Sequence, residues 1–102
     1  MNDLTETLKA INNPIRMDIL RWLKDPKANF DVSEQLVDAD VEGVCVSIIQ
    51  EKAQLSQSTV SAYLTSLQRV KLVTSKRIGA WTYYKRDNQS IRAFTEQLSD
   101  IL

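Results

Sequence analysis

The chain has 102 residues, 43% hydrophobic and 25% charged, the size and make-up of a single ordinary globular domain. No apolar run approaches the roughly twenty residues of a membrane span, and the acidic, amphipathic opening MNDLTETLKA is no signal peptide, so the cytoplasm is the expected location. The formal net charge is zero and the lone cysteine, Cys45, can form no internal disulfide, which fits a reducing compartment.

That zero hides a polarised chain. Residues 1–54 hold six Lys/Arg against ten Asp/Glu, a net of −4. Residues 55–95 hold seven basic residues and only Asp87 as an acid, a net of +6, and the last seven residues return −2. A polyanion responds to the local field rather than to the total, so the second half is compatible with nucleic acid.

In chain order, Asp3 to Ile11 reads as an amphipathic helix with Leu4, Leu8 and Ile11 on one stripe and acids at its start. Asn13-Pro14 is a helix start, a capping side chain followed by proline in the first turn. That helix runs to about Lys24, with Ile15, Ile19, Leu20, Trp22 and Leu23 mostly inward, and Asp25-Pro26 stops it. Residues 25–43 follow no fixed apolar period and carry six acids against Lys27. Phe30, Val32, Leu36 and Val37 are candidates for a short lid in this acidic insertion, which reads equally as a dimer brace or a solvated loop.

Val44 to Ala53 reads as a third helix with Val46 and Ile49 buried and Ile48 a further candidate, and Gln54-Leu55 as a tight turn. Ser56 then caps a helix whose Val60, Leu64 and Leu67 recur on one apolar face. Its other side, Gln57, Ser58, Ser61, Ala62 and Thr65, is short, polar or small, and uncharged. A solubilising surface would carry Lys and Glu there; short polar side chains suit close approach to a DNA major groove, while a partly buried packing helix is the plainer alternative. Helix, short turn and helix is the spacing of a helix-turn-helix. Val73–Ile78 and Trp81–Lys85 are β-prone runs joined through Gly79-Ala80, a hairpin bearing Lys76, Arg77, Lys85 and Arg86. A basic hairpin directly after such a helix is a wing. Tyr83 and Tyr84 point to opposite faces of it, so one is expected inside.

Asp87-Asn88 caps a last helix, Ser90 to about Ile101, with Ile91, Phe94, Leu98 and Ile101 on one stripe. The expected fold is mainly α with a small β-hairpin, a single winged helix-turn-helix over residues 1–102. So small a core has limited room for two amphipathic terminal helices, so a homodimer through Leu4, Leu8, Ile91, Phe94, Leu98 and Ile101 is expected, the alternative being that both helices fold back on their own core.

The run NPIRMDILRWL, followed by CVSIIQEKAQLSQSTVSAYLTSLQRVKLVTSKRIGAWTYYK, resembles the ArsR/SmtB family of bacterial winged-helix repressors over residues 4–95, with 25–43 inserted relative to shorter members. The resemblance implies a homodimer that represses operons at palindromic operators and releases double-stranded DNA on binding an effector, often a metal ion. It implies that Gln57, Ser58 and Ser61 face the major groove, that Thr59 and Thr65 contact phosphate or groove, and that Lys76, Arg77 and Lys85 reach the backbone or adjacent minor groove. Many members carry His or Arg where this chain has Ala62, so base readout is reduced or shifted there. The family's metal sites do not carry over. A soft-metal Cys-x-Cys is matched by Cys45-Val46-Ser47, and the chain has no His.

No metal or other cofactor is therefore expected, and the effector stays unidentified. Cys45 reads as a small buried hydrophobe, with a thiol switch as the alternative. A DNA-binding repressor is the leading expectation and a winged-helix protein–protein interaction module the second. No enzyme is expected, since there is neither His nor a glycine-rich phosphate loop, glycine occurring only at Gly43 and Gly79.

Overall fold

Capping chemistry sets where the long helices begin. The computed structural model describes residues 3–102, in the order α1 (Leu4–Ile11), α2 (Pro14–Lys24), α3 (Pro26–Asn29), α4 (Ala39–Glu42), β1 (Val44–Cys45), α5 (Val46–Ala53), α6 (Gln57–Arg69), β2 (Val73–Ile78), β3 (Trp81–Arg86) and α7 (Asn88–Ile101). Asp3 caps α1, and the Asn13 carbonyl Oδ1 accepts from the amides of Ile15 and Arg16 at 2.9 and 3.0 Å ahead of Pro14. Ser56 accepts from the Thr59 amide at 3.2 Å, and Asp87 from the Ser90 amide at 3.0 Å. Each satisfies an amide that has no partner within its own helix.

The core is the meeting of α2, α5 and α6 over the sheet. Ile19, Val44, Ile49, Val60, Leu64 and Leu67 have no exposed surface. Burial of each such side chain stabilises by about 1.5–3 kcal/mol. α1 turns its small residues inward, Thr7 and Ala10 being buried, and leaves Leu8 38% exposed. The buried Thr7 hydroxyl donates to the Asp3 carbonyl at 3.2 Å. α7 packs against α1 and carries no fully buried residue at all.

Two expectations are corrected here. Val44 and Cys45 do not open a helix. They form an edge strand opposite Tyr84 and Tyr83, so the hairpin becomes a three-stranded antiparallel sheet ordered β1-β3-β2, and the helix starts at Val46. Pairing with β3 decides this, and it overrides the local helical period. The 25–43 segment is also more regular than expected, holding the single turns α3 and α4. Phe30 is buried with its ring edge-on to Trp22 at 6.1 Å, whereas Leu36 is 82% exposed. Gln35 closes the segment instead, donating to the Gly43 and Val37 carbonyls at 2.8 and 3.1 Å and accepting from the Cys45 amide at 3.0 Å.

Candidate nucleic-acid interface

α5 ends at Ala53, and Gln54 after it adopts the left-handed conformation (φ 56°) and reverses the chain into α6 within three residues. With Val60, Leu64 and Leu67 turned fully inward, the helical period presents the remaining side of α6 outward. Gln57, Ser58, Ala62 and Thr65 are exposed, while Thr59 and Ser61 are half-buried. The Ser56 hydroxyl donates to the Thr59 hydroxyl at 2.9 Å and lies 3.2 Å from that of Ser58. Thr59 and Ser58 thus belong to a hydroxyl cluster at the helix start, and Gln57, Ala62 and Thr65 form the open part of the face. No charged side chain stands among them.

The wing follows from Lys71, itself left-handed at φ 65°, and β2 and β3 pair from Val73 opposite Arg86 to Ile78 opposite Trp81. Directly opposed residues share a face. Arg77 and Thr82, Ser75 and Tyr84, and Val73 and Arg86 look toward the helices; Lys76 and Tyr83, and Thr74 and Lys85, look the other way. Gln68 of α6 donates to Ser75 at 2.9 Å, and Arg86 donates to the Leu20 carbonyl at 3.1 Å, which fixes the first of these faces against α6 and α2.

The basic residues counted from sequence therefore divide by role. Arg77 is exposed with no partner among the described residues, as is Arg69 at the end of α6. Arg86 is a peg: it also donates to Asn88 at 3.0 Å, and its partial burial lowers its pKa through desolvation. Lys76 pairs with Glu42 at 2.9 Å and Lys85 donates to the Val41 carbonyl at 3.1 Å, both on the face turned to the acidic segment. Sequence reading missed this division, because Glu42 lies more than thirty residues before the wing and no local pattern announces the pairing.

Of the tyrosines, Tyr83 is buried and Tyr84 half-buried, where desolvation raises its pKa. Cys45 is buried opposite Tyr83, its Sγ 3.2 Å from the Ser47 hydroxyl, at the side of an open groove of about 850 Å³ shared with Phe30, Leu36 and Trp81. Among the described residues no three His, Cys, Asp or Glu gather as metal donors, and no helix is long and apolar enough to cross a membrane. The residues expected at a dimer interface lie on α1 and α7. Leu4, Ile91, Phe94 and Leu98 are half-buried, Leu8 is 38% and Ile101 62% exposed, and Ile91 also touches the core.

A helix pair joined by a tight turn, with a hairpin after its second helix, defines a winged helix-turn-helix domain. No protein-family model matches the chain. It is 48% identical over 86 residues to the uncharacterized HTH-type transcriptional regulator YbzH of Bacillus subtilis, covering 84% of this chain and 85% of that one. It is 30% identical over 96 residues to the putative arsenical resistance operon repressor ArsR2 of Halobacterium salinarum, covering 94% of this chain and 68% of the relative. In fold it is similar to the homodimeric winged helix-turn-helix DNA-binding domain of Mb0332 from Mycobacterium bovis, with a TM-score of 0.63 at 23% identity over 94% of this chain and 77% of that one. The chain belongs to the ArsR family of winged-helix regulators, and it is a DNA-binding transcriptional regulator.

Proposed function

We propose that this regulator is a homodimeric repressor that reads a palindromic operator with α6 and grips the flanking backbone with the wing, leaving DNA on an unidentified signal. The observation that carries the reading is the uncharged outer side of α6 from Gln57 to Thr65, backed by three fully buried residues, together with the exposed, unpartnered Arg77 of the wing. Gln57 pairs with a base edge, adenine being its best match, and Ser58 and Ser61 add adaptable contacts. Thr59 and Thr65 hydrogen-bond at the groove edge. Arg77, Lys76 and Lys85 bind phosphate, which positions the domain without reading sequence. Ala62, between Ser58 and Thr65 on the helix surface, leaves room for a thymine methyl group rather than adding a polar contact.

The dimer is supported by the terminal helices. Leu8, Ile101 and Leu102 remain open to water on α1 and α7, and covering such surface stabilises association by roughly 25 cal/mol per Å². A two-fold pair of α6 helices about 34 Å apart meets successive major grooves on one side of a duplex. The homodimeric relative of similar fold supports the same assembly. Placement in the cytoplasm and the absence of an enzymatic activity follow from this role.

Binding of the full chain to a labelled duplex from its own upstream region, across a salt series, tests the reading. Affinity should fall steeply and linearly on a log–log plot and exceed that for a random duplex. Absence of binding to any duplex at low salt would overturn it.

A further inference from the structure

The acidic segment is not idle beside the wing. Lys76 Nζ stands 2.9 Å from Glu42 Oε2, and Lys85 Nζ donates to the Val41 carbonyl at 3.1 Å, so one turn of helix, α4, holds two wing lysines. Lys27 occupies the neighbouring carboxylates, lying 3.3 Å from both Asp38 and Asp40, so Glu42 is the α4 acid turned to the wing. The two members of the pair differ in freedom. The Glu42 side chain is 26% exposed and that of Lys76 62%.

Gly43 fixes the carboxylate in place. Its φ is +104°, and a Cβ there would stand 2.4 Å from the Tyr84 carbonyl oxygen, so the end of α4 lies flush on β3. Lys76, on a long flexible stem, is the member that can move. A carboxylate and a phosphate offer the same ligand to an ammonium group, two anionic oxygens. When Lys76 turns to a duplex it leaves Glu42 facing a polyanion, which opposes the exchange.

We propose that Glu42 is an intramolecular competitor for phosphate, withholding Lys76 and thereby setting the affinity and salt dependence of DNA binding; this rests on the duplex-binding reading above. It assigns the acidic segment a role distinct from a ligand lid or a dimer brace.

The test is a set of salt titrations with the full chain on the upstream and random duplexes. Glu42→Gln should bind about two- to fivefold tighter, and its log–log salt slope should steepen by up to about 0.9. In a Lys76→Ala background the same change should have no effect, because the competitor has lost its object. Glu34→Gln, which removes the same charge from the same segment at a residue that pairs with no wing cation among the described residues, should leave the slope as it was. Weaker binding by Glu42→Gln would overturn the proposal by making the pair a brace for the wing. An equal gain with and without Lys76 would overturn it too, leaving only a general field effect. Wild-type protein that binds no duplex at any salt would remove the underlying reading as well, so the two failures are told apart. Thermal midpoints recorded alongside show whether each variant keeps its fold.

Discussion

Gln68 on the last turn of α6 donates to the Ser75 hydroxyl at 2.9 Å, and this bond joins the reading helix to the wing. It is exposed, so its removal should change stability by no more than about 0.5 kcal/mol. Its effect should appear in binding, since a wing that swings freely must be ordered when DNA is met. Gln68→Ala and Ser75→Ala should each weaken duplex binding roughly three- to tenfold, and the double variant should lose no more than either one. Additive losses in a fluorescence anisotropy titration would show that the two residues act separately.

Gln57 and Arg77 should fail differently. Gln57→Ala should relax preference at one base pair of each half-site, at a cost of about 1–3 kcal/mol against the preferred duplex and little against random DNA. Arg77→Ala should weaken both duplexes alike and lower the salt slope by about one unit. A selection of bound sequences, run for each variant, separates the two outcomes.

Leu98 lies half-buried on the apolar stripe of α7, a helix with no fully buried residue. Leu98→Asp should leave a folded monomer in sedimentation at micromolar concentration, with operator affinity falling to that of a single half-site. A monomer that still holds the palindrome tightly would uncouple assembly from binding.

Gly43 tests the packing of α4. Its backbone conformation is one that only glycine adopts easily, and an added methyl group meets the backbone of Tyr84. Gly43→Ala should destabilise the fold by at least about 1–3 kcal/mol, read from the urea midpoint. Gly79, at φ +61° in the wing turn with open space around it, should tolerate the same change better.

Tyr84 gives the alkaline limb of stability. Burial raises its pKa in the folded chain, so the folded state favours the protonated phenol. The stability it contributes is complete below the unfolded phenol value, roughly pH 10, and is lost as pH climbs through that value toward the higher folded one. Tyr84→Phe should flatten the decline of urea midpoint above pH 10.

What was legible in the chain was what neighbours in sequence decide. Asn13, Ser56 and Asp87 announce their helices because a cap acts on amides two or three residues away. The inward face of α6 is legible because Val60, Leu64 and Leu67 repeat on one side of it. Val44 and Cys45 misled because their conformation is decided by Tyr84 and Tyr83, which come almost forty residues later. The first helix shows the same limit in another form. Its leucine stripe was plain, but the small residues Thr7 and Ala10 are what face the core, and only the packing partner reveals that. Within the candidate interface, the helix surface could be read from the residue types, whereas the division of wing cations between Arg77, Lys76 and Arg86 depends on contacts across the fold.

Side chains along β2 alternate sides at every step, which sends Lys76 toward α4 and Arg77 toward the helices. The ribbon is therefore a two-position selector whose setting is written in its register. Deleting Thr74 or Ser75 would exchange the two cations' orientations without altering the charge of the wing, giving the acidic turn a guanidinium to hold and leaving an ammonium to meet the duplex, at the cost of the bond from Gln68 to Ser75. Such a slip alone retunes grip strength while the sequence of α6 stays the same.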